Sequence, residues 1–143
     1  MTFYEKALQA LEDHGNRITN SRKLVLSAFD KSGKPLSAYQ LKELSDKAGH
    51  KIDVVTVYRI IEYLEKLGLV HKVHSNGGYV KCSLDDPDAI HSFFECQRCG
   101  KIQEFSGGDF DSFKGTVEKS HKFKINNCAL ELKGYCQECK KWY

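Results

Sequence analysis

Two C-x-x-C pairs, Cys96-Gln97-Arg98-Cys99 and Cys136-Gln137-Glu138-Cys139, constrain this chain more than any other feature of it. Pairs of this form, bounding about forty residues, have zinc-ribbon spacing. Two intervening residues allow a tight turn that points both sulfurs the same way, so each pair can chelate one edge of a metal ion. Four thiolates at about 2.3 Å close a tetrahedron around Zn²⁺ and leave no open position, which makes the expected site structural. It ties the segment after Cys96 to the last strand, near Cys136. A pair of disulfides needs an oxidising compartment, and nothing in the sequence suggests export. A thioredoxin-like redox pair is a single C-x-x-C that follows a strand and opens a helix. Structural zinc is therefore the reading of these four cysteines.

The chain has 143 residues, enough for one ordinary domain or two small ones, each short of core. A small lobe needs a staple, and the four-cysteine site supplies one for the C-terminal half. Hydrophobic residues make up 41% and charged residues 29%, as in a globular protein. No apolar run approaches the roughly twenty residues of a membrane span, and the N-terminus lacks the apolar region of a signal peptide. With six cysteines in such a chain, metal binding in a reducing cytoplasm is expected rather than a disulfide framework. The net charge of +3 is too mild to predict nucleic-acid binding by itself. Its distribution says more. Lys and Arg are frequent from Arg17 to Lys81, whereas Leu84 to Asp111 carries Asp85, Asp86, Asp88, Glu95, Glu104, Asp109 and Asp111. A basic front and an acidic rear suggest two lobes with different tasks.

In the front lobe, Phe3, Ala7, Leu8 and Leu11 form a helical stripe that Gly15 ends. Thr19 or Asn20 can cap a second helix with Leu24, Val25, Ala28 and Phe29 inward. Ser37 can cap a third, through Leu41 and Leu44 to Ala48, before Gly49. Asp53 caps a fourth, from Val54 to about Leu67, with Val57, Ile60, Ile61, Leu64 and Leu67 inward and Thr56, Arg59, Glu62 and Lys66 outward. Val70 to Ser75 and Tyr79 to Ser83 then alternate about Asn76-Gly77-Gly78, a hairpin signal. Three helices, a helix with polar residues at its front and a hairpin define a winged helix-turn-helix, in which the fourth helix enters the major groove. Periodicity alone does not reject a fourth helix that is an ordinary amphipathic core element.

The composition turns to Asp, Pro and Ala from Leu84 to Ile90, which reads as a hinge. The expected division is 1–84 for the winged-helix domain, 85–91 for the hinge and 92–143 for a second domain. In the latter, Ser92 to Cys96 and Lys101 to Phe105 read as a hairpin around the first knuckle. Gly107-Gly108 precedes a helix from about Phe110 to His121, and Phe123 to Gly134 reads as a strand with Ile125, Leu130 and Leu132 inward. The fold class is thus α+β, a winged helix-turn-helix followed by a small α/β domain.

Outside the paired cysteines, His71, Cys82, His91 and Glu104 fall at the start of the wing, its end, the hinge and the second C-terminal strand. If they converge, they offer an N₂SO set that can close around Zn²⁺ and join the lobes. A thiolate with two imidazoles selects zinc over iron or manganese, which favour oxygen in place of sulfur. Taken singly, Cys82 in a strand is an ordinary small hydrophobe. His14, His50 and His74 read as solvated, and His121 with Cys128 could support an auxiliary metal site.

Four runs, Leu36-Ser37-Ala38-Tyr39, Thr56-Val57-Tyr58-Arg59, Leu67-Gly68-Leu69-Val70 and Cys96-x-x-Cys99-Gly100-Lys101, together resemble the Fur superfamily of metal-dependent bacterial repressors. The resemblance covers nearly the whole chain. Val70-His71-Lys72-Val73 followed by Tyr79-Val80-x-Cys82 is similar to its zinc uptake (Zur) branch. It implies an N-terminal DNA-binding domain, a hinge and a C-terminal dimerisation domain. It also implies structural zinc on Cys96, Cys99, Cys136 and Cys139, and regulatory zinc on His71, Cys82, His91 and Glu104, two ions per monomer. Tyr39, Thr56, Tyr58 and Arg59 are the implied DNA-binding residues, with Tyr39 and Arg59 reaching base edges. Iron- and peroxide-sensing relatives carry a His-rich cluster before the first C-x-x-C, where this chain has only Ala89-Ile90-His91-Ser92. The third helix likewise opens with Lys34-Pro35, where those relatives often place a histidine ligand.

The function expected is a homodimeric, zinc-responsive repressor of zinc uptake genes that reads a pseudo-palindromic double-stranded operator, with Lys72 and Lys81 meeting phosphates. The alternative is an iron- or peroxide-responsive Fur-type regulator. An enzyme with an open zinc site needs a free coordination position and a general base, and no nucleophile–base pair or phosphate-binding Gly loop is evident.

Overall fold

The computed structural model describes residues 1–84, 90–106, 110–125 and 128–142, the side chain of residue 142 excepted. Two compact units divide it, Met1–Ser83 and Leu84–Tyr143. The architecture is α+β. Most of the expected hinge (85–89) and Gly107-Gly108 lie outside the described residues, while His91, its expected last residue, is already the first residue of a strand.

The first unit runs α1 (Phe3–Asp13), α2 (Asn20–Lys31), α3 (Ala38–Lys47), α4 (Val54–Lys66), β1 (Val70–Val73) and β2 (Gly78–Lys81). Each helix begins at a side-chain cap that accepts from an otherwise orphaned backbone N–H. Thr2 and Glu5 form a capping box on α1, and Ser37 and Gln40 form one on α3. Thr19 accepts from the Arg22 N–H, and Asp53 from that of Thr56. The apolar rows of the helices meet in one core that includes Leu11, Leu26, Phe29, Leu41, Val57, Ile61, Leu64 and Val70.

Packing in α3 passes over one of its two leucines. Leu44 is 45% exposed, and the next residue, Ser45, is buried instead, its hydroxyl satisfied by donation to the Leu41 carbonyl at 3.0 Å. The helix therefore turns Leu41 and Ser45 inward, an i, i+4 row. Leu26, a fully buried α2 residue, also belongs to the core although Leu24 and Ala28 only line it.

Strands β1 and β2 are shorter than the alternation suggested, because the chain turns at His74–Gly77. The Gly77 N–H donates to the Val73 carbonyl at 2.9 Å, and Gly77 sits at φ 73°. The antiparallel register pairs Val70 with Lys81 and His71 with Val80. A third segment joins this wing: Leu36 and Tyr79 exchange two backbone hydrogen bonds of 2.9 Å just before the Ser37 cap. Gly78 permits that approach, since a Cβ there would lie 2.7 Å from Pro35 Cβ.

The second unit runs β3 (His91–Cys96), β4 (Ile102–Ser106), α5 (Phe110–His121), β5 (Leu130–Gly134) and a 3-10 turn at Lys140–Trp142. The sheet order is β4-β3-β5, with β3 antiparallel to β4 and parallel to β5. The expected long strand from Phe123 shrinks to β5. Lys122 adopts φ 52°, and the Ile125 N–H donates to Glu118 Oε2 at 3.0 Å rather than to a ladder. Leu132, expected inward, is exposed, and α5 has no fully buried side chain. This unit is short of core.

Candidate metal centres and nucleic-acid interface

The four paired cysteines come together for a topological reason. Strands β3 and β5 are parallel neighbours, with Cys96 in register with Gly134, so they end side by side. Cys96 closes β3, and Cys136 lies two residues past the end of β5. Each pair is then folded back by a tight turn. Gly100 N–H donates to the Cys96 carbonyl at 2.9 Å and Gly100 takes φ 76°, a value suited to glycine. Cys139 N–H and Lys140 N–H both reach the Cys136 carbonyl, at 3.0 and 2.8 Å. The Gln97 N–H donates to the Gly134 carbonyl at 2.8 Å and locks one knuckle to the other strand.

All four sulfurs lie within 4.8 Å of one another. A tetrahedral ion with bonds of about 2.3 Å requires sulfur–sulfur edges of about 3.8 Å. Cys99 Sγ and Cys136 Sγ are 3.8 Å apart. The donor set thus fits a closed tetrahedral metal ion. Backbone N–H groups of Cys99 and Cys136 draw the Cys96 thiol down to about 6, the latter donating to its sulfur at 3.4 Å. Burial, together with the neighbouring thiols, pushes Cys139 up to about 12. One sulfur is held ready as a thiolate, and the crowding of the others is what a cation relieves.

The other expected ligands form two pairs, one in each unit, and each pair arises from strand register. His71 faces Val80 across the wing, and Cys82 continues β2 two residues further, with its N–H on the Leu69 carbonyl at 2.8 Å. Residues at i and j+2 of an antiparallel pair lie diagonally on one face. The donor atoms of His71 and Cys82 are within 4.8 Å. In the second unit, His91 faces Ser106, so Glu104 is its diagonal neighbour; His91 Nδ1 lies 2.5 Å from Glu104 Oε2. Both pairs are half-buried.

The remaining histidine and cysteine expectations fare differently. His14 and His74 are exposed, but His50 is half-buried, with Nε2 3.2 Å from Ser21 Oγ, because the α3–α4 loop folds back on α2. His121 and Cys128 are exposed, with His121 Nδ1 3.2 Å from the Val117 carbonyl of its own helix. Among the described residues, they belong to no cluster of three or more metal-capable groups.

On the first unit, α3 and α4 present Tyr39 (66% exposed), Tyr58 and Arg59 to solvent, while Thr56 is half-buried beside its cap. Tyr39 and Tyr58 meet edge to face, ring centroids 6.4 Å apart at 88°. Arg59 lines a cleft with Arg17, Thr19, Ser21, Arg22 and Thr56. Arg17 and Arg22 escaped the reading of single motifs, although both flank the α2 cap residue Thr19. Lys72 is exposed as a phosphate contact requires, but Lys81 is committed elsewhere. Its ammonium donates to the Asp30 carbonyl at 2.7 Å and lies 3.4 Å from Asp30 Oδ1, bracing the wing against the end of α2.

A winged helix-turn-helix joined in sequence to a four-thiol lobe defines a class of metal-responsive DNA-binding regulators, and the comparisons agree. The ferric uptake regulator family matches residues 13–133, and the chain belongs to that family. It is 32% identical over 124 residues to the zinc uptake regulation protein of Escherichia coli (strain K12), covering 86% of this chain and 72% of that one. It is 28% identical over 131 residues to the ferric uptake regulation protein of Neisseria gonorrhoeae, covering 91% and 90%. A solved zinc uptake regulator complexed with zinc and DNA superposes with TM-score 0.87 at 30% identity, covering 99% of this chain and 97% of that one. Among the described residues, no helix is long and apolar enough to cross a membrane.

Proposed function

We propose that the chain is a zinc-responsive repressor of zinc uptake genes, acting in the cytoplasm as a homodimer on a pseudo-palindromic DNA operator. Residues 1–84 bind DNA, 85–91 form the hinge and 92–143 dimerise. Cys96, Cys99, Cys136 and Cys139 hold structural zinc, while His71, Cys82, His91 and Glu104 hold the regulatory ion, two per monomer. The observation that carries the choice of metal is Cys82 Sγ beside the His71 imidazole on one face of the wing. Sulfur in a site of two imidazoles favours zinc, whereas iron and manganese favour oxygen. A bound zinc ion would supply a positive charge that both donor pairs share, so its occupancy favours one arrangement of the units. Operator DNA must then tighten zinc binding by the same factor by which zinc tightens DNA binding.

The dimer is supported by the second unit's exposed apolar strip. Phe94 stacks on Phe105 at 4.3 Å and pairs in register with Leu132, yet Phe94 remains 45% exposed. A strip of this kind needs a cover, and a second copy offers a self-complementary one. In the DNA-binding unit, exposed Arg59 can donate a bidentate pair to guanine O6 and N7, and Tyr39 can pack or hydrogen-bond at a neighbouring base. Thr56 and Tyr58 complete the reading face.

The test uses Cys82→Ser and metal counts alongside binding to a DNA duplex selected from a randomised pool. The unmodified protein should hold two zinc ions per chain, one lost to mild chelation together with DNA binding. Cys82→Ser should keep one ion, stay a folded dimer and lose the zinc response. An unchanged zinc response in Cys82→Ser would remove the regulatory assignment. The similarity to a ferric uptake regulation protein makes Fe²⁺ the necessary second arm; restoration of DNA binding by Fe²⁺ alone would favour the iron-responsive reading.

A further inference from the structure

We infer that Val55 is a specificity-determining residue, which packs on the C5-methyl group of a thymine in each operator half-site. The inference rests on the DNA-binding reading above and adds a base preference to it. Val55 is the second residue of α4 and is 55% exposed. Nothing in the core requires an apolar residue there, and a β-branched side chain is a poor choice for an exposed helical position. Burial in the first unit therefore leaves it unexplained.

Its surroundings supply a reason. Tyr58 lies one helical turn on, at i+3, and is 40% exposed. Tyr39, from α3, meets the Tyr58 ring edge to face. The three side chains make a small apolar face at the amino end of α4, the end that meets base edges in helix-turn-helix proteins. Arg59 is at i+4 from Val55, and its cleft also contains Arg17 and Arg22. The partner must accordingly offer negative charge and an apolar group to the same end of one helix. The major groove does so at one base only, since thymine alone carries a methyl group there between two phosphate backbones. A protein partner is disfavoured because the apolar face is small and Arg59, with Arg17 and Arg22 in its cleft, leaves the same helix end cationic.

Uracil differs from thymine only by that methyl, so thymine-to-uracil replacement isolates the contact. The test uses the zinc-loaded full-length protein and its selected duplex, resynthesised with uracil at one thymine per half-site, position by position. Burial of one methyl is worth about 0.8 kcal/mol, or about fourfold per half-site and about fifteenfold for both. One symmetric position should show that loss, and the other thymines should show little. Val55→Ser, with an unchanged melting temperature, should bind the thymine and uracil duplexes equally while still discriminating selected from scrambled DNA. Equal binding of thymine and uracil duplexes by the unmodified protein at every position overturns the inference and leaves DNA reading intact. So does a Val55→Ser protein that keeps the thymine preference. Failure to select any sequence from the pool overturns the inference and the DNA-binding reading together.

Discussion

Removing the metal from the four-cysteine site should unfold the second unit and spare the first. In the second unit, the only buried apolar residues among those described are Phe93 and Cys96, with Ser92 the buried polar one. Burying a phenylalanine contributes about 1.5–3 kcal/mol, whereas fixing each backbone residue costs about 1–2 kcal/mol. Such a core cannot order three strands and a helix by itself. Structural zinc contributes about 10–16 kcal/mol in small domains, comparable to the whole margin of about 5–15 kcal/mol that keeps a typical protein folded. The first unit has its own core, running from Ala7 to Val70, and holds no part of this site. The experiment starts from Cys82→Ser, so that only the four-thiol site is loaded. It strips the metal with a strong chelator under reducing conditions and follows amide hydrogen exchange. Amides of β3, β4 and β5 should exchange at unfolded rates while α1 to α4 stay protected. Persistent protection of β3 and β5 in metal-free protein, with all four thiols open to a thiol reagent, would refute the reasoning.

Three further perturbations address the DNA-binding unit. Arg59→Ala should cost about 1–3 kcal/mol of specific binding and relax the preference at one base position, as read by titration against selected and scrambled duplexes. Gly78→Ala places a Cβ 2.7 Å from Pro35 Cβ and must push the wing from Leu36, costing about 1–3 kcal/mol in chemical denaturation and exposing the Leu36 and Tyr79 amides to exchange. Asp53 caps α4, and the Thr56 backbone N–H is the foremost cause holding its carboxyl below the ordinary value of 3.8. A depressed carboxylate stabilises above its unfolded value and loses that effect as pH falls through the folded one. Asp53→Asn should therefore lower the melting temperature at neutral pH, and its gap from the unmodified protein should narrow as pH drops below about 4.

Much of the first unit was legible because local signals and tertiary needs agree there. Ser37, Asp53 and Thr19 sit at helix starts both as sequence caps and as observed hydrogen-bond acceptors. The Val57, Ile60, Ile61, Leu64 row is buried as its 3.6-residue spacing requires. The misreadings fall where a long-range partner decides. Lys81 reads as one more surface cation until Asp30, far away in sequence, takes its ammonium. Phe123 to Gly134 alternates in sequence, but Glu118 captures the Ile125 N–H and the ladder starts only at Leu130. The four-cysteine site was legible from spacing. The parallel β3–β5 pairing that assembles it was not, because a parallel register depends on the crossover rather than on either strand.

The two donor pairs share a physical origin that spacing conceals. His71 with Cys82 and His91 with Glu104 are each diagonal neighbours on an antiparallel hairpin, at eleven and thirteen residues' separation. A strand slip of one residue would send every side chain on that strand to the opposite face and split either pair. Ligand geometry is thus a property of register, and register is set in the turns and bridges away from the ligands. On the wing, Asn76 Oδ1 accepts from the Gly78 N–H at 2.9 Å, Gly77 takes a left-handed φ, and Tyr79 is pinned to Leu36 on its other side. Lys81, adjacent to Cys82, is fixed on Asp30. These contacts hold Cys82 near the His71 imidazole by the fold alone, so an ion bound there as proposed would meet less opposing ordering entropy. Leu36 also directly precedes the Ser37 cap of α3, the helix that presents Tyr39. Two backbone hydrogen bonds within one unit therefore join the strand that leads to Cys82 with the segment that leads into the helix bearing Tyr39.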